Sequence, residues 1–545
     1  MRAFWKSAIT FAIIFVVLAG NADACTNYMV TKGASVDGST MITYNADAGG
    51  FMEPLRFHPA TDWPEGSMLD VYDWDSGKFL GKIKQVAHTY NVIGNMNEHQ
   101  VSIGETTYGG RKECRDTNGI IDYGSLMYIT LQRAKTAREA IKIMVELTDE
   151  YGYYSSGESF SVADANEVWI MEVLGKGGKE NGMIWVARKV PDGYICAHAN
   201  QARIRDVPTD DPDNCLYSDE IFSFAKDHGW YKKGEIFSFA DMYCPLDPGG
   251  ALYCEGRVWT FFTKAAPSQN FPSEYWRAVK GAEPYPLFIK PDKKLSVKDI
   301  QTFFRDHFEG TEWDMTTGLA AGPFGCPYRW KGLAWKMEGD SVTQYGWSRP
   351  VTTQQTAFSF VSQMRSWLPR EIGGVFWYSV DDNYTNVYMP LYCSMTEVPA
   401  SYTTGSIHKF DYNSAFWVFN LVANLAYTKY SYIAPEIIEV QQKFEDKFLA
   451  YQPAIDRAAL ELMKTDKALA VEFLTNYSVT QAESVMDRWQ ELWEYLVVKY
   501  NDGYINDLSA PNNANGRHPK SAYYGNDFLK KVLKERPEHY KAMWK

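Results

Sequence analysis

Ala22-Asp23-Ala24-Cys25-Thr26-Asn27-Tyr28-Met29-Val30-Thr31 joins the end of an apolar leader to the first strand signal of the chain. Upstream, Met1 to Gly20 carries Arg2 and Lys6 and then an apolar stretch from Ala8 to Ala19. Ala22 and Ala24 supply the small residues of an A-x-A cleavage site, so residues 1–24 read as a secretory signal peptide. The apolar run is shorter than the roughly 20 residues a membrane span needs. Cleavage after Ala24 makes Cys25 the first residue of the mature chain, with a thiol and a free α-amine on one Cα. An α-amine has a pKa near ~8, against about 10.4 for lysine. It is partly neutral at physiological pH and is placed to act as base for its own side chain, which is the pairing a covalent hydrolase needs.

Two other readings of Cys25 stay open on the leader alone. In one, Cys25 is acylated and tethers a non-catalytic envelope lipoprotein that binds peptide or glycan. The lipoprotein box prefers an aliphatic residue three before the cysteine, and here that residue is Ala22. In the other, Cys25 is a disulfide partner or a buried thiol.

Working outward, Thr26 to Thr31 is a candidate strand, Asp37-Gly38-Ser39 a turn, and Thr40 to Tyr44 a second strand. Together they predict a hairpin with Cys25 at its open end. Val92 to Ile103 predicts another hairpin with its turn near Asn97. Tyr123 to Thr148 has apolar residues at helical spacing, among them Leu126, Ile129, Ala140 and Met144. Ser159 to Ala163 and Glu167 to Val173 flank the turn Asp164-Ala165-Asn166. Met183 to Arg188 and Gly193 to His198 flank Pro191-Asp192-Gly193. Hairpins around a helical segment predict antiparallel sheets with helices packed on them.

From about residue 410 the pattern changes to helix. Ser414 to Tyr427 is strongly apolar, and Val440, Phe444 and Phe448 share one face. Thr480-x-x-Glu483 has the form of a capping box before the stripe Val485, Trp489, Trp493. Pro511 to Arg517 reads as a polar loop.

Composition narrows the function. The 545 residues suffice for a large core and more than one structural unit. Formal net charge is -12 with no basic stripe, which argues against a nucleic-acid partner. After the leader no long apolar segment remains, so no stable membrane insertion of the mature chain is expected. The 18 Trp and 36 Tyr show no regular pattern of a carbohydrate platform. Eight cysteines are too few for a disulfide-built scaffold, and no C-x-x-C or H-E-x-x-H occurs. No metal and no cofactor are expected. Gly157-Glu158-Ser159-Phe160-Ser161 lacks the second glycine of a nucleophile elbow, and Gly175-Lys176-Gly177-Gly178-Lys179 lacks the Walker spacing.

What remains is Cys25 and the segments able to meet it. Asn45-Ala46-Asp47 ends the strand returning beside Cys25, so a carboxylate there can orient the amine or simply make an Asx turn. His198-Ala199-Asn200-Gln201-Ala202-Arg203 ends another strand. The Asn200 amide there serves either as an oxyanion donor or as a turn cap. Asp47, Glu105 and Glu158 are candidates for binding a substrate ammonium.

These segments, taken in order, resemble the dipeptidases among the N-terminal-nucleophile hydrolases with a cysteine nucleophile, distant relatives of penicillin V acylase and bile salt hydrolase. The matching stretches are Cys25-Thr26, Asp37-Gly38-Ser39, Asn45-Ala46-Asp47, Met96-Asn97-Glu98, Gly104-Glu105-Thr106-Thr107 and His198 to Arg203. They continue through Arg257-Val258-Trp259, Ala266-Pro267-Ser268, Gly310 to Asp314, Gly373 to Trp377 and Ser414 to Trp417. The resemblance implies an α+β fold: an αββα four-layer sandwich over residues 25–409, followed by a helical extension over 410–545. It implies amide hydrolysis of small peptides by Cys25, with Asp47 near the amine and Asn200 at the oxyanion. A second oxyanion donor would fall near Thr106 or Thr107, and Arg257 would support the nucleophile. Relatives often carry Arg at the position of Tyr44, so this chain lacks that cation. The expected protein is a secreted or periplasmic dipeptidase. An acylase of the same fold, acting on bile salts or penicillin-like compounds, is the alternative enzyme.

Overall fold

The computed structural model describes residues 25–232, 234–330, 334–339, 345–509 and 520–541. The leader expected over 1–24 and the polar loop expected at 511–517 lie outside the described residues.

Strand β1 (Asn27–Val30) pairs antiparallel with β2 (Thr40–Asp47), Met29 opposite Ile42, as the hairpin reading requires. Neither strand is at a sheet edge. Further along the chain come β3 (Ser102–Gly109), β4 (Gly157–Ala163), β5 (Val168–Gly175), β6 (Met183–Lys189) and β7 (Ile195–His198). The last long strands are β8 (Thr356–Met364), β9 (Gly374–Val380) and β10 (Met389–Tyr392). They sort into two antiparallel sheets. The first has seven strands in the order Phe288–Ile289, β7, β1, β2, β8, β9, β10. The second has eight, with β6, β5, β4 and β3 in line and short strands at both ends.

The two sheets face each other, β2 lying against β3, β4 and β5. Gly104 on β3 marks one close approach. A Cβ there would sit 2.8 Å from Asn27 Nδ2 and 3.1 Å from the Thr43 carbonyl, so only glycine lets the backbones come together. Alternation along each strand divides the side chains. Phe160, Val162, Trp169 and Met171 pack outward with helices, while His198 and Ser161 are buried between the sheets.

Helices α1 (Tyr123–Leu131) and α2 (Ala137–Tyr151) cover the outer face of the eight-stranded sheet. The helical pattern of 123–148 is therefore split in two. Thr136 caps a new start by accepting from the Glu139 N–H, and Ala137, Ala140, Ile141, Met144 and Leu147 form the buried stripe of α2. On the seven-stranded sheet lie α3 (Gly256–Ala265), α4 (Ala415–Thr428) and the long pair α5 (Tyr430–Met463) and α6 (Lys467–Tyr500). The chain is thus α+β, with stacked antiparallel sheets and helices on the outer faces. No described helix is long and apolar enough to cross a membrane.

Two local expectations are corrected. Thr480-x-x-Glu483 does not start a helix. α6 runs through it, and its N-cap is Asp466, which accepts from the Ala468 N–H at 2.8 Å. The buried stripe Ala470, Leu474, Ser478, Ala482, Val485, Trp489 is continuous through that point, and continuous burial outweighs a local capping pattern. The turn at Pro191-Asp192-Gly193 does not close a hairpin either. β6 belongs to one sheet and β7 to the other, so the chain crosses between layers there.

Candidate active site

Cys25 directly precedes β1. The Thr26–Asn45 bridge, with Asn45 N–H donating to the Thr26 carbonyl at 3.0 Å, sets it beside the end of β2. Ala46 and Asp47 are therefore its neighbours, as the hairpin predicts. Cys25 lines a cavity of about 790 Å³. Tyr44, Asp47, Glu105, Thr107 and Glu158 share its wall near the thiol. Farther round, Asp73 and Asp75 face the same space as Arg111, Lys112 and Arg115, so the cavity carries both signs of charge.

The thiol lies 3.7 Å from both the Tyr44 hydroxyl and Glu105 Oε1. The Tyr44 hydroxyl donates to that same Glu105 oxygen. Tyr44 thus brings no positive charge to the Cys25 thiol and instead connects β2 to β3. Burial pushes the Cys25 thiol up, and the charges of Glu105 and Asp47 push it further. No histidine is among the described residues lining the cavity. His198 is fully buried between Thr106 Oγ1, at 2.7 Å, and Ser161 Oγ, at 2.8 Å, and burial pulls it down to about 3.

Asp47 is buried and held on three sides. Arg349 Nη2 lies 3.0 Å from Oδ2, Thr356 Oγ1 donates to Oδ1 at 2.6 Å, and the Asn45 amide donates to Oδ2 at 3.2 Å. Burial raises its carboxyl to about 7 against the pull of Arg349. Arg257 comes from α3, with a fully buried side chain. Its Nη1 donates to the Cys25 carbonyl oxygen and, at 2.9 Å, to Thr26 Oγ1. Its Nη2 donates to Asn200 Oδ1 at 2.9 Å and to the Ala199 carbonyl at 3.3 Å. Asn200 follows β7 with a left-handed φ of 58°, which asparagine tolerates better than most residues. Its Nδ2 donates to the Thr107 carbonyl at 2.6 Å.

The structure therefore brings Cys25, Asp47, Asn200, Arg257 and Thr107 into one neighbourhood. It separates Thr106 from the cavity: strand alternation turns its hydroxyl toward His198, whereas Glu105 and Thr107 reach the cavity wall. The Gln201 to Arg203 end of its motif is structural. Arg203 Nε lies 3.3 Å from Glu255, and its Nη1 donates to the Ala197 carbonyl. Arg349 was not legible in the sequence. It stands in no motif and meets Asp47 only through tertiary folding. The cations Arg111, Lys112 and Arg115 follow β3, beyond the hairpin expected over Val92 to Ile103, and likewise formed no pattern.

Against known proteins, the model of peptidase family C69 matches residues 24–443. A probable dipeptidase of Latilactobacillus sakei is 24% identical over 83% of this chain and 90% of its own length. A probable dipeptidase of Salmonella dublin is 26% identical over 72% of this chain and 85% of its own. Dipeptidase A of Lactobacillus helveticus is 24% identical over 78% and 86%. The family resemblance carried by the motifs is borne out.

Proposed function

We propose that this chain, which belongs to peptidase family C69, is a secreted dipeptidase whose nucleophile is the thiol of Cys25, freed as the N-terminal residue by removal of residues 1–24. The observation that carries the proposal is the setting of Cys25: a buried thiol on the wall of a cavity lined by both acidic and basic side chains, with no histidine among the described residues that line it. A zwitterionic dipeptide offers the complementary charges. The layered antiparallel sheets support the αββα fold of N-terminal-nucleophile hydrolases for this chain.

In the proposed reaction the neutral α-amine of Cys25 takes the thiol proton. The thiolate forms the S–C bond to the peptide carbonyl, and the carbonyl π pair moves to oxygen. Asn200 Nδ2 has a second N–H beyond the one given to Thr107, and we assign it to the oxyanion; such a donor is worth ~3 kcal/mol. Collapse breaks the C–N bond, and the Cys25 ammonium protonates the leaving amine. Water then resolves the thioester, with the amine again acting as base, and the thiol is restored. Arg257 holds the Cys25 carbonyl and so fixes the position of both amine and thiol.

The test is hydrolysis of a dipeptide panel by protein whose N-terminus is shown by mass to be an unmodified Cys25. Cleavage of free dipeptides ahead of N-acetylated ones supports the reading. Faster cleavage of bile salts or penicillin than of every dipeptide replaces it with the acylase, and a lipid-modified Cys25 replaces it with the lipoprotein.

A further inference from the structure

We infer that Glu105, backed by Glu158, is the receptor for the substrate's α-ammonium and makes the enzyme cleave after a free first residue. This rests on the dipeptidase reading and deepens it. Among the acids near the thiol, Asp47 is already matched by Arg349, Thr356 and Asn45. Glu105 is not. Its Oε1 takes the Tyr44 hydroxyl and its carboxyl hydrogen-bonds to that of Glu158, but among the described residues no basic side chain pairs with it. Glu158 likewise has no basic partner among the described residues, and both side chains line the cavity while being 1% and 0% exposed. A buried carboxyl pair that keeps a negative charge is costly unless a cation comes to it.

The distances fit an amino terminus. In an α-aminoacyl group, bond lengths of 1.46 and 1.52 Å and an angle near 111° put the ammonium nitrogen about 2.5 Å from the carbonyl carbon. A thiolate poised for attack stands roughly 3–3.5 Å from that carbon. Glu105 Oε1 lies 3.7 Å from the Cys25 sulfur, so the Glu105 carboxylate is within reach of the ammonium of a substrate in attack geometry. An N-acylated substrate brings no cation there, and a longer peptide cut internally would have to run its chain through Glu105 and Glu158.

The charge also balances. Burial raises both carboxyls, Glu105 to about 7, and the charge of Glu105 raises Glu158 further. With the proton on Glu158, the pair carries a single negative charge, which matches one ammonium. Arg111, Lys112 and Arg115 on the same cavity wall leave the substrate carboxylate a separate place.

The experiment compares wild type, Glu105→Gln and Glu158→Gln, each with a verified Cys25 start and matching circular dichroism. The ligands are the best-cleaved dipeptide of the panel and its des-amino analogue, the latter measured as a competitive inhibitor. Glu105→Gln keeps an acceptor for Tyr44 but loses the charge. It should raise KM for the dipeptide about tenfold or more while the inhibition constant of the des-amino analogue moves less than about twofold. Glu158→Gln should show the same signature with a smaller shift. An unchanged preference for the amine-bearing ligand in both variants overturns the assignment. A wild type that cleaves no dipeptide overturns the dipeptidase reading itself.

Discussion

The Nη2 of Arg257 donates to Asn200 Oδ1 at 2.9 Å, and this one bond decides which way the Asn200 amide faces. With the oxygen held by a guanidinium, the nitrogen must turn to the Thr107 carbonyl. The same guanidinium holds the Cys25 carbonyl, so nucleophile and amide donor are positioned by a single buried cation.

Asn200→Ala is therefore expected to lower kcat by roughly 10² or more, with little change in KM. Asn200→Asp should be at least as damaging. It satisfies Arg257 but sets an acceptor against the Thr107 carbonyl and against a developing oxyanion. Steady-state kinetics on one dipeptide check both, and an effect confined to KM would reassign Asn200 to substrate binding.

Cys25→Ala should abolish hydrolysis with the fold intact, because the residue precedes the first strand and the change removes only a sulfur atom from the cavity wall. Cys25→Ser should retain at most a trace, since the amine remains but the hydroxyl is a poorer nucleophile. Near-normal turnover by the alanine variant would refute the nucleophile.

Activity should also depend on where the chain starts. An uncleavable extension before Cys25 turns its amine into an amide, which takes no proton. That variant should be nearly inactive beside a mature chain expressed as Met-Cys25 and processed to Cys25, with equal circular dichroism. Equal activity would put the base elsewhere, and the buried bonds of His198 make it a poor substitute.

The Asp47–Arg349 pair should couple strongly. Arg349→Met leaves a buried carboxyl without its cation and should cost about 3–5 kcal/mol in denaturant unfolding. Adding Asp47→Asn should recover part of that loss, although the double variant stays impaired in turnover. Additive effects of the two changes would show that the pair is not a unit.

Asp381 offers a pH test away from the catalytic residues. It is buried with a left-handed φ of 61°, and burial raises its carboxyl to about 7. A carboxyl raised in the folded state adds stability below its unfolded value near 4, and that stability is lost as pH rises through 7. Asn tolerates the same φ and carries no charge. Asp381→Asn should therefore gain stability relative to wild type between pH 5 and pH 8, by on the order of 2 kcal/mol. A difference independent of pH would contradict the raised carboxyl.

Local pattern carried the reading of Cys25 through Asp47, because a turn and two alternating runs are enough to define a hairpin. It likewise placed β4 and β5, α4 and the buried stripe of α6. It failed where partners lie far apart in sequence. Nothing near Arg349 points to Asp47, and nothing near Pro191 tells that the chain there leaves one sheet for the other. Thr106 and Thr107 stood as equals in the sequence, and only strand alternation against His198 separates them.

The central position of β1 and β2 also has a consequence for how the chain is made. β1 needs β7 on one side, and β2 needs β8 on the other, with Met41 opposite Gln363. A chain emerging N-terminus first therefore presents its opening hairpin long before the residues that flank it exist. Such non-local pairing makes for slow folding and leaves bare strand edges exposed during synthesis. The surroundings of Cys25 cannot assemble until Arg257 and Arg349 have followed, so the proposed site is completed late in biogenesis, after most of the polypeptide has been delivered.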